Sequence, residues 1–97
     1  MAKAYWVAQM TISDPAAYDA YRQANGAALA KYGGRFLVRG GPQDVVEGVA
    51  RPRMVVIEFP DIRAARECWD SAEYRAARAL RLDASDADVV IVEGWAG

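Results

Sequence analysis

Residues 5–12 alternate, with Trp6, Ala8, Met10 and Ile12 on one side and Tyr5, Val7, Gln9 and Thr11 on the other, which is the period of a strand. Ser13, Asp14 and Pro15 then supply a helix cap and a proline at the first helical position. Tyr18, Tyr21, Asn25, Ala28, Leu29 and Tyr32 recur at helical spacing and predict a first helix over 15–32, closed by Gly33 and Gly34 in the left-handed conformation. A second strand is expected over 35–39, with Gly40 and Gly41 forming a positive-φ turn at the start of a 40–44 loop, and residues 45–48 reading as a short extended piece. Pro52 opens a third strand over 53–59, rich in β-branched residues. Pro60 and Asp61 signal a second helix carrying Ile62, Ala65 and Trp69 on one side, and Ser71 predicts a break and restart through Tyr74, Ala77 and Arg81. A polar loop over 83–86 leads to a final strand over 88–95.

The predicted order is β-α-β-β-α-β, the ferredoxin-like arrangement, an α+β fold with a four-stranded antiparallel sheet covered by helices on one side only. The third strand places Val55, Ile57 and Phe59 on one side and Met54, Val56 and Glu58 on the other. The fourth sets Val90 and Val92 against Val89 and Ile91. Neither strand has the polar outer side expected of a sheet that meets water, so a second copy of the chain is expected to cover it, as a homodimer.

At 97 residues the chain is one domain, 1–97, and 20 of its apolar residues are alanines, a composition that favours completing the core at a subunit interface. Net charge is −1, which gives no field to attract nucleic acid or an anionic membrane, so neither is expected as a partner. Apolar runs fall far short of the ~20 residues that span a bilayer. The single cysteine, Cys68, rules out an intramolecular disulfide and points to a cytoplasmic setting. With no histidine and one cysteine, neither a metal site nor a haem ligand is expected, and no cofactor. Gly33 and Gly34 follow a helix, and Gly40 and Gly41 lack a following G-K pattern, so neither pair forms a phosphate-binding loop.

Candidate chemistry resides in charged or phenolic residues set among apolar ones. Glu58, inside Met-Val-Val-Ile-Glu-Phe, is expected to face the dimer interior, where desolvation would raise its pKa and suit it to proton transfer. Alternatively it forms a structural ion pair with Arg39 on the neighbouring strand. Tyr74 and Arg81, seven residues apart, share a helix side and either point into a pocket or belong to an amphipathic helix whose arginine reaches solvent. Arg39, Glu58, Tyr74 and Arg81 are thus the expected ligand groups, with Glu58 and Tyr74 the candidate catalytic ones.

Taken in order, Tyr5-Trp6, Asp14-Pro15, Gly33-Gly34-Arg35, Arg39-Gly40-Gly41, Glu47-Gly48, Glu58-Phe59, Ser71-x-x-Tyr74 and Arg81 resemble the DUF1330 family over nearly the whole chain. The resemblance implies the dimeric α+β barrel superfamily, whose members include cofactor-free monooxygenases, haem-handling enzymes, isomerases and proteins with no assigned activity. Three functions follow as alternatives. They are a homodimer binding a small anionic or aromatic ligand, a cofactor-independent monooxygenase or isomerase, and a structural or partner-binding dimer without ligand.

Overall fold

The computed structural model describes residues 2–96. In chain order the elements are β1 (Ala4–Ile12), α1 (Pro15–Lys31), β2 (Arg35–Arg39), β3 (Arg53–Phe59), α2 (Ile62–Asp70), α3 (Ala72–Ala79) and β4 (Ser85–Glu93). The strands form one antiparallel sheet in the order β2-β3-β1-β4. The chain is thus an α+β fold of a four-stranded antiparallel sheet and three helices.

Helix starts are fixed by side chains that satisfy free backbone N–H groups. Asp14 accepts from the Ala17 amide at 3.2 Å and Asp61 from the Ala64 amide at 2.8 Å. Ser71 separates α2 from α3 by serving both, accepting from the Tyr74 amide at 3.1 Å while its hydroxyl donates to the Cys68 carbonyl at 2.7 Å. At the end of α1, Gly33 takes φ +78° and the Gly34 amide closes on the Leu29 carbonyl at 2.9 Å.

The helix-covered side of the sheet holds the core. Trp6 lies at its centre, 2% exposed, with ring centroids of Phe59, Trp69 and Tyr74 at 5.0, 5.5 and 4.8 Å. Its indole N–H donates to the Ala65 carbonyl of α2 at 3.0 Å, which ties the central strand to the helix layer. Cys68 is fully buried, and burial chiefly pushes its thiol up to about 12, leaving an inert small hydrophobe. The other side carries Val7, Val38, Val56, Val90 and Val92 across its middle, and no helix covers it. Val90 and Val92 are 56% and 44% exposed.

The structure differs from the sequence expectations in three places. Residues 45–48 form no strand; 41–50 are exposed throughout, and the loop is held at its base by the Gln43 amide, which donates to the Arg51 and Pro52 carbonyls at 2.9 and 3.1 Å. β4 starts at Ser85, paired with Ile12, because β1 offers a continuous ladder to its last residue, and it ends at Glu93, leaving Trp95 outside the strand and 93% exposed. Of the two glycines after β2, only Gly40 has positive φ, at +72°.

Gly40 is also crowded: a Cβ there would overlap the Arg53 guanidinium, the movable end of a long side chain, whereas one at Gly41 would meet nothing within 4 Å. Gly40→Val is therefore expected to cost ~1–3 kcal/mol from backbone strain, with displacement of Arg53 added to it. Gly41→Val should stay within ~0.5 kcal/mol of wild type. Urea denaturation of the two variants side by side checks this; equal losses would contradict it.

Candidate functional site

A cleft opens on the helix-covered side of the sheet, beyond Trp6. The next inward residue of β1 is Ala8, and Ala87 of β4 pairs with Met10, so two small side chains leave a hollow that α1 and α3 do not fill. Its walls are Met10, Phe36, Val55, Ile57 and Val89 from the sheet, with Tyr18, Tyr21 and Asn25 from α1 and Tyr74 from α3. Four arginines, Arg22, Arg39, Arg53 and Arg81, also line it, and among the described residues no carboxylate does.

The floor is a hydrogen-bonded group. The hydroxyls of Tyr21 and Tyr74 lie 2.9 Å apart, and the Arg81 guanidinium donates to the Tyr74 hydroxyl at 3.3 Å. Arg81 follows the C-cap of α3, and its guanidinium lies over the ring of Tyr21 at 5.4 Å. At 7% exposure it is a core residue rather than one reaching solvent. Burial, reinforced by the neighbouring Tyr21, pushes the Tyr74 phenol well above the usual tyrosine range, against the opposing pull of Arg81. Tyr74 is therefore protonated at neutral pH, with its hydroxyl accepting from Arg81, and is not a resting base.

Arg53 and Asn25 form the second group. The Arg53 guanidinium stands 5.7 Å from the ring of Tyr18, whose own pKa is raised by burial and whose hydroxyl donates to the Met10 sulfur at 2.9 Å. Its Nε is buried without a hydrogen-bond partner, as is the Oδ1 of Asn25, a residue 3% exposed. Unpaired polar atoms in a protein interior each cost about 1–3 kcal/mol. Arg39 stands at the mouth, exposed, with its guanidinium 4.2 Å from the Phe36 ring and a long hydrogen bond of 3.4 Å to the Arg22 carbonyl. Among the described residues no carboxylate forms an ion pair with Arg39, Arg53 or Arg81.

The expected Arg39–Glu58 pair does not form. Arg35 pairs with Glu58 and Phe36 with Ile57, but Val38 pairs with Val56 and Arg39 with Val55, so Leu37 is an extra residue in β2. A straight ladder would have set Arg39 against Met54, on Glu58's side; the bulge turns it to the helix side instead. Glu58 lies on the open side, where Arg35 and Lys3 approach one carboxylate oxygen at 2.9 and 3.3 Å and the Tyr5 hydroxyl reaches the other at 3.5 Å. Desolvation acts to raise its pKa, but the hydrogen bonds and charges of Arg35 and Lys3 outweigh it, and the carboxyl is held below the ordinary range. The elevated pKa expected from the sequence is thus reversed by cations that a bare strand pattern does not reveal.

Arg39, Tyr74 and Arg81 are brought together, and Glu58 is excluded. Sequence reasoning missed Arg53, Asn25 and the lining role of Tyr18 and Tyr21. Two signals were available. Arg53 lies two residues before Val55, in the inward register of an apolar strand, and Asn25 occupies a buried position of the first helix.

Residues 3–95 match the family described as Domain of unknown function (DUF1330), and the chain belongs to that family. No functionally curated protein matches it. Among solved structures it is similar to a protein of unknown function from Rhodopseudomonas palustris, RPA0582, at 18% identity and a TM-score of 0.76, covering 99% of this chain and 85% of that one. It is also similar to SnoaB, a cofactor-independent oxygenase from Streptomyces nogalater, at 13% identity and a TM-score of 0.67, over 100% of this chain and 97% of that one. At these identities the likeness is one of fold.

The lowered pKa of Glu58 has a consequence for acid stability. A carboxyl whose folded pKa lies below its unfolded value stabilises the fold above the unfolded value, and that contribution is lost as pH falls through the folded pKa. Glu58→Gln is therefore expected to have a lower Tm than wild type at pH 7, with the gap closing as pH is lowered from 4.5. Thermal melts of both proteins across pH 2.5–7, spanning about two units either side of the ordinary carboxyl value, test this. A gap independent of pH would contradict it.

Proposed function

We propose that the protein is a homodimeric, ferredoxin-like α+β barrel protein that binds a small organic ligand in the cleft between each copy's own sheet and helices. The observation that carries this reading is a buried charge without a carboxylate beside two buried polar atoms without protein partners. Arg81 is charged inside the core, Arg53 Nε has no acceptor and Asn25 Oδ1 has no donor, all along one cleft. A fold tolerates such costs where a ligand relieves them. Arg39, Arg53, Tyr74 and Arg81 are the ligand groups in this reading, and Glu58 is assigned to the opposite side, in the ion cluster at the rim of the dimer interface. The free, buried thiol of Cys68 fits a reducing cytoplasm.

The valines of the open side support the dimer. Polar clusters border them at both ends, Lys3–Glu58–Arg35 at one and Arg51 with Asp86 and Asp88 at the other, which suits a self-complementary contact with charges at its rim. Obligate homodimer interfaces bury ~2,000 Å² or more. Light scattering of the purified protein at micromolar concentration should give twice 10.6 kDa, and Val90→Glu together with Val56→Glu should shift it toward the monomer. A wild-type mass of one chain would refute the dimer.

A second reading makes the cleft catalytic without a cofactor, with Tyr74 as proton donor. The Tyr74–Arg81 contact favours it, since a cationic neighbour can stabilise charge that develops on the Tyr74 oxygen. The likeness to SnoaB adds the fold alone. Ala87→Leu, which fills the cleft, separates both readings from a purely structural dimer. Native mass spectrometry after incubation with a small-metabolite extract should show a retained species in wild type and none in Ala87→Leu. Identical spectra without any bound species would leave the structural dimer.

A further inference from the structure

The ligand's class can be narrowed from what the cleft lacks. Resting on the binding reading above, we infer that the cleft is built for a compact hydroxy acid, a carboxylate carrying a hydroxyl close by, and against amino acids and neutral molecules.

Charge selects the acid. Arg39, Arg53 and Arg81 face a space that no acidic side chain lines, and Arg53 Nε offers a buried N–H with nothing to accept it. A carboxylate accepts from a guanidinium with matched planar geometry. Phosphate answers the charge as well, but it is a larger anion of higher charge and costlier to desolvate. The walls are mainly aromatic rings and aliphatic side chains, with no glycine-rich loop of backbone N–H groups to receive it.

Asn25 selects the hydroxyl. Its Oδ1 is buried in an amide that is 3% exposed and needs a donor. An ammonium would donate, but three guanidiniums repel it. A hydroxyl donates without charge, and it can equally accept if the amide turns over, so it satisfies Asn25 in either orientation. Size sets the spacing. The cleft has a volume of only ≈ 30 Å³, the room of about two or three waters. The two polar groups of an occupant must therefore lie near one another.

A three-carbon series of nearly equal size isolates each requirement: lactate, propionate, lactamide and alanine, with inorganic phosphate as a fifth probe. Binding to the dimer is measured by calorimetry at millimolar concentration. Lactate is expected to bind ~10-fold more tightly than propionate, about the worth of one hydrogen bond. Lactamide, alanine and phosphate should each bind at least ~10-fold more weakly than lactate. Asn25→Ala should bring lactate down to the level of propionate and leave propionate unchanged. Arg39→Gln, at an exposed position that leaves the fold intact, should weaken both acids alike. Lactamide, alanine or phosphate binding as tightly as lactate would overturn the inference, as would an Asn25→Ala change that weakens both acids equally. Phenol serves as a neutral aromatic control. If phenol binds, is lost in Ala87→Leu, and no acid binds, the hydroxy-acid inference falls while the binding reading stands. If neither phenol nor any acid binds, both fall.

Discussion

Everything on the helix side of the sheet is arranged around Trp6. Its indole spans the centre of the sheet, meets Phe59, Trp69 and Tyr74, and hydrogen-bonds to Ala65 of α2. One residue on the central strand thereby fixes the height of α2 and the position of the first turn of α3. One part of the inward surface is filled in this way. The other part, where β1 turns from Trp6 to Ala8, is left to side chains from α1 that arrive as tyrosines, and these do not close it. The cleft is the part of the interior that Trp6 borders but does not fill.

That division of the core accounts for the unusual position of Arg81. A guanidinium is rarely buried without a carboxylate, and here it is held by one hydrogen bond to the Tyr74 hydroxyl and by the face of the Tyr21 ring. The Tyr74 hydroxyl accepts one N–H but leaves the charge standing. A buried carboxylate would have neutralised the site and closed it to anions. With tyrosines in that place, the positive potential extends from the core through Arg53 to Arg39 at the mouth.

The helix boundaries were legible in the sequence because capping is local. Asp14, Asp61 and Ser71 each act within three residues of themselves, and Ser71 alone announces the break between α2 and α3. Strand sides on β1 and β3 were legible for the same reason, since alternation is a property of a few consecutive residues. The side of Arg39 was not. It depends on Leu37 being accommodated as a bulge against β3, an interstrand event with no marker in Arg-Phe-Leu-Val-Arg itself. A candidate site residue, Arg39, was therefore predicted on the correct strand and on the wrong side of the sheet. Arg81 could be matched to Tyr74 from their spacing, but its burial depended on α1 lying across it, a contact between segments some sixty residues apart.

The loop between β2 and β3 is tied off at its base. Gln43 and Arg51 close its neck, with the Arg51 side chain reaching the Gln9 and Asp86 carbonyls, so the strands on either side take their spacing from the neck and not from the residues beyond it. Everything from 44 to 50 hangs outside that clasp and is exposed. Lengthening a loop whose ends are already held adds little closure entropy, about 0.6 kcal/mol per doubling. This segment is thus a place where the chain can accept a graft, whether a reporter peptide or a foreign recognition sequence, without disturbing the register of the sheet.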